Sequence, residues 1–126
     1  MKDLKDRNID AAPDREKALV RALAAANIIQ HFERVYGVLW ASQLVCLRYL
    51  NPRDNGANRS EIIPVYEAAK NEYPSWYQDY SFDRWLGFLK QMNLVLERDS
   101  KLVITVAGRE FLKYLVAAAK PGPYYG

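Results

Sequence analysis

A mainly α-helical fold carrying one small antiparallel β-hairpin is what this chain predicts, on three observations. Apolar residues recur at helical spacing through most of its 126 residues. After Asn93 the period changes: Leu94-Val95-Leu96 runs into the charged stretch Glu97-Arg98-Asp99-Ser100-Lys101, and Leu102-Val103-Ile104-Thr105 answers it as a β-branched return strand. Residues of the helix-capping type, Asp14, Ser42, Ser60, Ser81 and Thr105, stand at the heads of the apolar runs. Helices are expected near 14–37, 42–50, 60–73, 81–93 and 106–119, around strands near 94–98 and 102–106.

The first 13 residues are rich in charge and poor in apolar side chains, and read as a flexible lead. From Asp14 strong helix formers take over, with an apolar stripe of Leu19, Val20, Leu23, Ile28, Ile29 and Phe32 and small alanines beside it. The apolar pattern continues to Leu50, too far for one helix, so a break is expected between Gly37 and Ser42. Residues 42–50 then form the central core helix, and Asn51-Pro52 ends it because the residue before proline is pushed out of the helical region.

A polar loop turns around Asn55-Gly56, and Ser60 is expected to cap the next helix, which tolerates Pro64 near its start and closes at Pro74. The connection 74–80 holds Trp76, Tyr77 and Tyr80, which no periodicity buries. Ser81 caps a helix whose Phe82, Trp85, Leu86, Phe88, Leu89 and Met92 fill an arc of roughly 160°. Thr105 caps the last helix, and Pro121 and Pro123 stop any helix in the tail 120–126, which is either disordered or packed through Tyr124 and Tyr125.

The stretch from Ser81 to Leu115 resembles the winged helix-turn-helix superfamily of bacterial regulators. There a recognition helix is followed by a hairpin wing, which exits through a leucine/isoleucine–threonine–x–x–glycine turn into a last helix; here that turn is Ile104, Thr105, Val106, Ala107 and Gly108. The resemblance covers roughly residues 42–116, and the seven-residue connection 74–80 is longer than the family's compact turn. It implies a single winged-helix domain over 14–119, composed of an added N-terminal helix (14–41) and a winged-helix unit (42–116). It further implies a cytoplasmic, dimeric DNA-binding regulator of transcription.

Composition limits the alternatives. Half the chain is hydrophobic, enough for one packed core. Eighteen basic against fifteen acidic residues give +3, a mild lean toward polyanionic partners and far from a polybasic tail. The N-terminal segment has no apolar core of a signal peptide, and the longest nearly uncharged run, 35–47, is too short to span a bilayer. Cys46 is the single cysteine, so no intrachain disulfide forms and a reducing compartment is expected.

Catalysis has no candidate residues. One histidine and one cysteine cannot make a zinc site, no carboxylates stand at a metal-ligand spacing, and the glycines form no phosphate-binding loop, so no metal or cofactor is expected. His31 and Cys46 both lie in apolar runs and read as core or near-core residues.

Binding is the remaining function, in two versions. In the first, helix 81–93 reads duplex DNA: opposite its apolar arc lie Asp83, Arg84, Gly87, Lys90 and Gln91, where Arg84 suits guanine, Gln91 adenine and Lys90 phosphate, while Gly87 permits close approach. Arg98 and Lys101 of the wing 97–101 would meet the backbone. Against this version, residues 61–93 hold three bases and five acids. In the second version the same fold is a protein-interaction or dimerisation module without nucleic acid. It would act through Trp76, Tyr77 and Tyr80, aromatic residues suited to protein contacts, or through Leu19 and Leu23 of the first helix, which would hold a homodimer.

Overall fold

A computed structural model describes the backbone of residues 11–121, Pro123 and Gly126. The chain divides into two compact units between Arg34 and Val35, within the first helix. That helix, α1 (Ala11–Val38), has already begun by Ala11, so Asp14 lies inside it and is not its cap. Residues 1–10 of the expected lead, the Val20 side chain, and Tyr124 and Tyr125 lie outside the described residues.

In the unit Val35–Gly126 the chain leaves α1 at Leu39 and Trp40 and re-enters a helix as α2 (Ala41–Leu50), so the expected break is present. Trp40 is the N-cap residue, in extended conformation, and its amide donates to the Gln43 side chain at 3.0 Å. Ser42, expected as the cap, is instead buried one residue inside α2, because its hydroxyl is claimed by groups from other elements. Likewise α3 (Arg59–Glu72) starts behind Asn58 rather than Ser60: Glu61 reaches back to accept from the Asn58 amide at 3.0 Å, satisfying one of the donors a helix start leaves unpaired.

The segment after Pro74 winds through successive turns closed on Tyr73, whose carbonyl accepts from the amides of Trp76 (3.0 Å) and Tyr77 (3.3 Å). It leads to α4 (Phe82–Gln91), capped as expected by Ser81, whose hydroxyl accepts from the Arg84 amide. The helix stops two residues short of Asn93, which takes a left-handed φ of 62° that asparagine tolerates, while the Leu94 amide closes back onto the Leu89 carbonyl.

The hairpin follows: β1 (Val95–Arg98) pairs antiparallel with β2 (Lys101–Ile104), Val95 opposite Ile104 and Arg98 opposite Lys101. Only Asp99 and Ser100 form the turn, both with positive φ, the geometry that matches strand twist in two-residue hairpins. Lys101 is therefore a strand residue, not a tip residue. Ala57 bridges Leu102 through two backbone bonds of 2.9 and 2.7 Å, tying the loop before α3 to the hairpin. Gly56 permits that approach, since a Cβ there would stand 2.6 Å from the Leu102 carbonyl oxygen.

Thr105 caps α5 (Val106–Ala117): its hydroxyl accepts from the Gly108 amide at 2.9 Å and donates to the Asn93 carbonyl at 2.6 Å. Gly108 lies so close to the Leu94 carbonyl that a Cβ would collide with it. The core joins Leu44, Leu47 and Leu50 of α2 with Ile62 and Tyr66 of α3, Trp85, Leu86 and Leu89 of α4, Leu102 and Ile104 of β2, and Phe111 and Leu115 of α5, all buried. Cys46 is among them, and burial pushes its thiol up to about 12, so it is an inert packing residue. At the far end of the chain Gly126 is buried against Trp40, and its carbonyl accepts from the Ser42 amide at 3.1 Å.

Candidate nucleic-acid interface

The apolar arc of α4 turns inward as its spacing requires: Trp85, Leu86 and Leu89 are fully buried, and Phe82, Phe88 and Met92 flank them half-buried. The opposite face carries Asp83, Arg84 and Gln91, all exposed, with Gly87 and Lys90 half-exposed. A side chain at Gly87 would meet no other atom, so the middle of this face is open. The Arg84 guanidinium donates to the Asp79 carbonyl at 2.9 Å, which orients the side chain along the start of the helix and leaves its charge in solvent. Gln91 makes no side-chain hydrogen bond among the described residues.

Lys90 does not stand ready for phosphate. Its ammonium donates to Glu97 on β1 at 2.7 Å, and the same carboxylate receives Nε and Nη2 of Arg59 at 2.8 and 2.9 Å. The third nitrogen of Arg59 pairs with Asp83 at 3.1 Å. Three elements meet in this cluster: α3 supplies Arg59, α4 supplies Asp83 and Lys90, and β1 supplies Glu97. Hydrogen bonds from Arg59, then from Lys90, bring the Glu97 carboxyl down to about 2, and the Arg59 guanidinium is held more firmly charged than usual by Glu97. Local sequence gave no sign of it, because 38 residues separate Arg59 from Glu97. The readable hint was a carboxylate placed mid-strand beside apolar neighbours.

The hairpin tip lies directly beyond Glu97. Arg98 is exposed and makes no ion pair among the described residues, and Lys101 opposite it is half-exposed, near enough to Glu61 to help lower that carboxyl. The dominant cause of the Glu61 shift is the hydrogen bond from the Asn58 amide, followed by that from the Tyr49 hydroxyl. The nucleic-acid candidates thus divide in two. Arg84, Gly87, Gln91, Arg98 and Lys101 face solvent; Lys90 is internally paired.

The aromatic connection before α4 departs from the exposed cluster expected of it. Tyr77 is 1% exposed and Tyr80 is half-buried; Trp76 alone remains largely exposed. Tyr77 enters the core because its hydroxyl has a buried partner there, Ser42 Oγ at 2.6 Å, which also accepts from Trp85 Nε1 at 2.9 Å. Gln43 extends the network, donating to the Trp85 carbonyl at 3.0 Å and the Tyr80 hydroxyl at 3.1 Å. Tyr77 and Tyr80 accordingly fasten α2 to the start of α4, and Tyr77 has no exposed surface to offer a partner. Pairing an apolar ring with a satisfied hydroxyl lets this turn be core without any periodic pattern.

Leu19 and Leu23 on α1 are exposed, as are Ile28 and Ile29, while Phe32 of the same expected stripe is buried. Val45 of α2, expected in the core, is half exposed and lines a shallow groove of about 350 Å³ with Val65, Ala68 and Tyr73. Among the described residues no helix is long and apolar enough to cross a membrane, and no group of three metal-ligating side chains converges.

No family model, curated protein or solved structure matches the chain. The face just described is an open, polar helix surface, joined by ion pairs to a hairpin whose last strand pair is Arg98 and Lys101.

Proposed function

We propose that the unit Val35–Gly126 is a winged-helix domain with a non-catalytic role, binding duplex DNA with α4 as its reading helix and the β1–β2 hairpin as its wing. The observation that carries this is the junction of the two: in the unbound protein Lys90 of α4 and Glu97 of β1 share an ion pair, so the outward face of the helix lies beside the hairpin that carries Arg98 and Lys101. Two further features support the reading. In the turn Ile104-Thr105-Val106-Ala107-Gly108, Thr105 caps α5 and Gly108 admits the Leu94 carbonyl, an arrangement suited to a wing that leads into a last helix. The Ala57–Leu102 bridge anchors the hairpin to the loop before α3.

In this reading Arg84 and Gln91 address base edges, the open surface at Gly87 lets the helix enter the groove, and Arg98 and Lys101 meet phosphates. The charge is modest, and the binding should be correspondingly salt-sensitive and of low non-specific affinity. Fluorescence anisotropy of a labelled random-sequence duplex across a salt series tests it: association that weakens steadily with salt is expected, and absence of any binding at low salt would overturn it.

A second reading, a protein-interaction or dimerisation module, is favoured by α1. Its Leu19 and Leu23 are 60% and 57% exposed, an apolar surface that a partner helix would cover. Self-association as a homodimer through this helix is compatible with DNA binding by the other unit.

A further inference from the structure

The Arg59–Glu97–Lys90 cluster has the composition of an anion site whose occupant is part of the protein. Glu97 takes two parallel bonds from the Arg59 guanidinium and a third from the Lys90 ammonium, all between 2.7 and 2.9 Å. A guanidinium fork fits a carboxylate and a phosphate by the same geometry, and a neighbouring ammonium adds charge to either. We propose that Arg59 and Lys90 form a phosphate-binding site which Glu97 fills in the unbound protein, so that a backbone phosphate of the nucleic acid exchanges with the Glu97 carboxylate.

This rests on the duplex-binding reading for the identity of the ligand, but not for the existence of the site. The side chains of Arg59 and Lys90 remain 42% and 35% exposed, so an incoming phosphate can reach both. Glu97 is itself on the surface, in the four-residue strand β1 and one residue before the exposed Arg98, and can swing toward water without opening the core. Exposed ion pairs are individually weak, so the exchange faces no large barrier from their loss. Asp83 stays on the third nitrogen of Arg59 and keeps that guanidinium aimed at the site. The mild charge of the reading face then has a cause. Two of its cations are masked by an internal carboxylate, which lowers attraction to arbitrary polyanions until a duplex presents a phosphate at that point.

Glu97→Gln, which keeps the side chain's size and removes its charge, tests this with two ligands. Pyrophosphate, titrated by calorimetry, should bind Glu97→Gln about tenfold more tightly than wild type, and Arg59→Gln added to that variant should abolish the gain. A random-sequence duplex should bind Glu97→Gln more tightly as well, with a salt dependence steeper by about one to two phosphate contacts. Pyrophosphate binding gained without any duplex binding by either protein would leave the anion site standing and remove the duplex reading. Duplex binding by wild type, with Glu97→Gln altering neither ligand's affinity, would overturn the exchange while leaving the duplex reading intact. Should Glu97→Gln fail to fold, wild-type protein labelled with nitrogen-15 supplies the same decision: the Arg59 Nε–H resonance moves on adding pyrophosphate if the site exchanges, and a stationary resonance at saturating pyrophosphate overturns it.

Discussion

Ser42 Oγ accepts a hydrogen bond from Trp85 Nε1 at 2.9 Å, joining the central helix to the proposed reading helix inside the core. Both residues are buried, and the Tyr77 hydroxyl shares the same oxygen. Removing that oxygen strands the buried indole N–H, which costs the desolvation penalty of the unpaired group. Ser42→Ala should therefore destabilise the fold by about 1–3 kcal/mol, read from urea unfolding. Because Tyr77 draws on the same site, Tyr77→Phe and Ser42→Ala should be non-additive. A Ser42→Ala protein with the wild-type midpoint would show that the bond contributes nothing.

Two glycines should respond in opposite ways. At Gly108 a Cβ meets the Leu94 backbone carbonyl, an atom that cannot give way without moving the strand entry, so Gly108→Ala should cost roughly 1–3 kcal/mol. At Gly87 a Cβ meets nothing, and alanine is the better helix former by about 1 kcal/mol, so Gly87→Ala should raise thermal stability. If α4 enters a groove, the same Gly87→Ala change should weaken duplex binding while the fold becomes more stable. That separation of stability from binding is not expected of a surface without function.

The charge cluster sets an acid limit on stability. Arg59 and Lys90 hold the folded-state Glu97 carboxyl near 2, below its ordinary 4.5, so the folded state favours the ionised form. Its stabilising contribution is complete above about 4.5 and is lost as pH falls toward about 2. Glu61, lowered by the Asn58 amide and the Tyr49 hydroxyl, acts in the same direction. Thermal midpoints measured from pH 5 down to pH 2 should fall for wild type and fall less steeply for Glu97→Gln; parallel curves would deny the cluster a part in stability.

How far the sequence could be read depends on the distance over which each feature is set. The hairpin, the Ser81 and Thr105 caps and the buried face of α4 are decided by neighbours a few residues away, and each stands where local chemistry puts it. Ser42 and Ser60 are cap-type residues too, yet Gln43 and Glu61 hold the entries to α2 and α3 by reaching back to the preceding amides, and Ser42 is spent on Trp85. Residue type alone cannot rank such competitors. Tyr77 gave no periodic signal because turns, not a helix, aim it inward, and its partner lies 35 residues away. The pairing that occupies the Lys90 ammonium required knowing that β1 runs beside α4.

The solvent-facing cations should divide by role if the duplex reading is right. Arg98→Ala and Lys101→Ala, at opposite positions beside the hairpin turn, should weaken binding to all duplexes alike and lower the salt slope by about one each. Arg84→Ala should instead narrow the difference between preferred and random sequences, by about 1–3 kcal/mol if it contacts a base. Anisotropy competition between a selected duplex and a random one distinguishes the two, and equal effects from all three variants would argue for backbone contact only.

Self-association through α1 is the expectation raised by how much apolar surface that helix exposes. From Arg21 to Gln30 every side chain is exposed, including Leu23, Ile28, Ile29 and a run of alanines, and Leu19 extends the surface by one turn. The alanines permit close approach of a second helix, and leucine and isoleucine supply area to bury against it. A symmetric pair of identical helices covers the α1 surface of both partners with one closed interface. The last helix offers a second such surface at Val116, which is 81% exposed. Light scattering should therefore give about twice 14.5 kDa at micromolar concentration, and Leu23→Asp should shift it toward the single-chain mass by placing a charge in the interface. A mass near 14.5 kDa for wild type would exclude the dimer. A doubled mass unaffected by Leu23→Asp but lost in Val116→Asp would move the interface from α1 to α5.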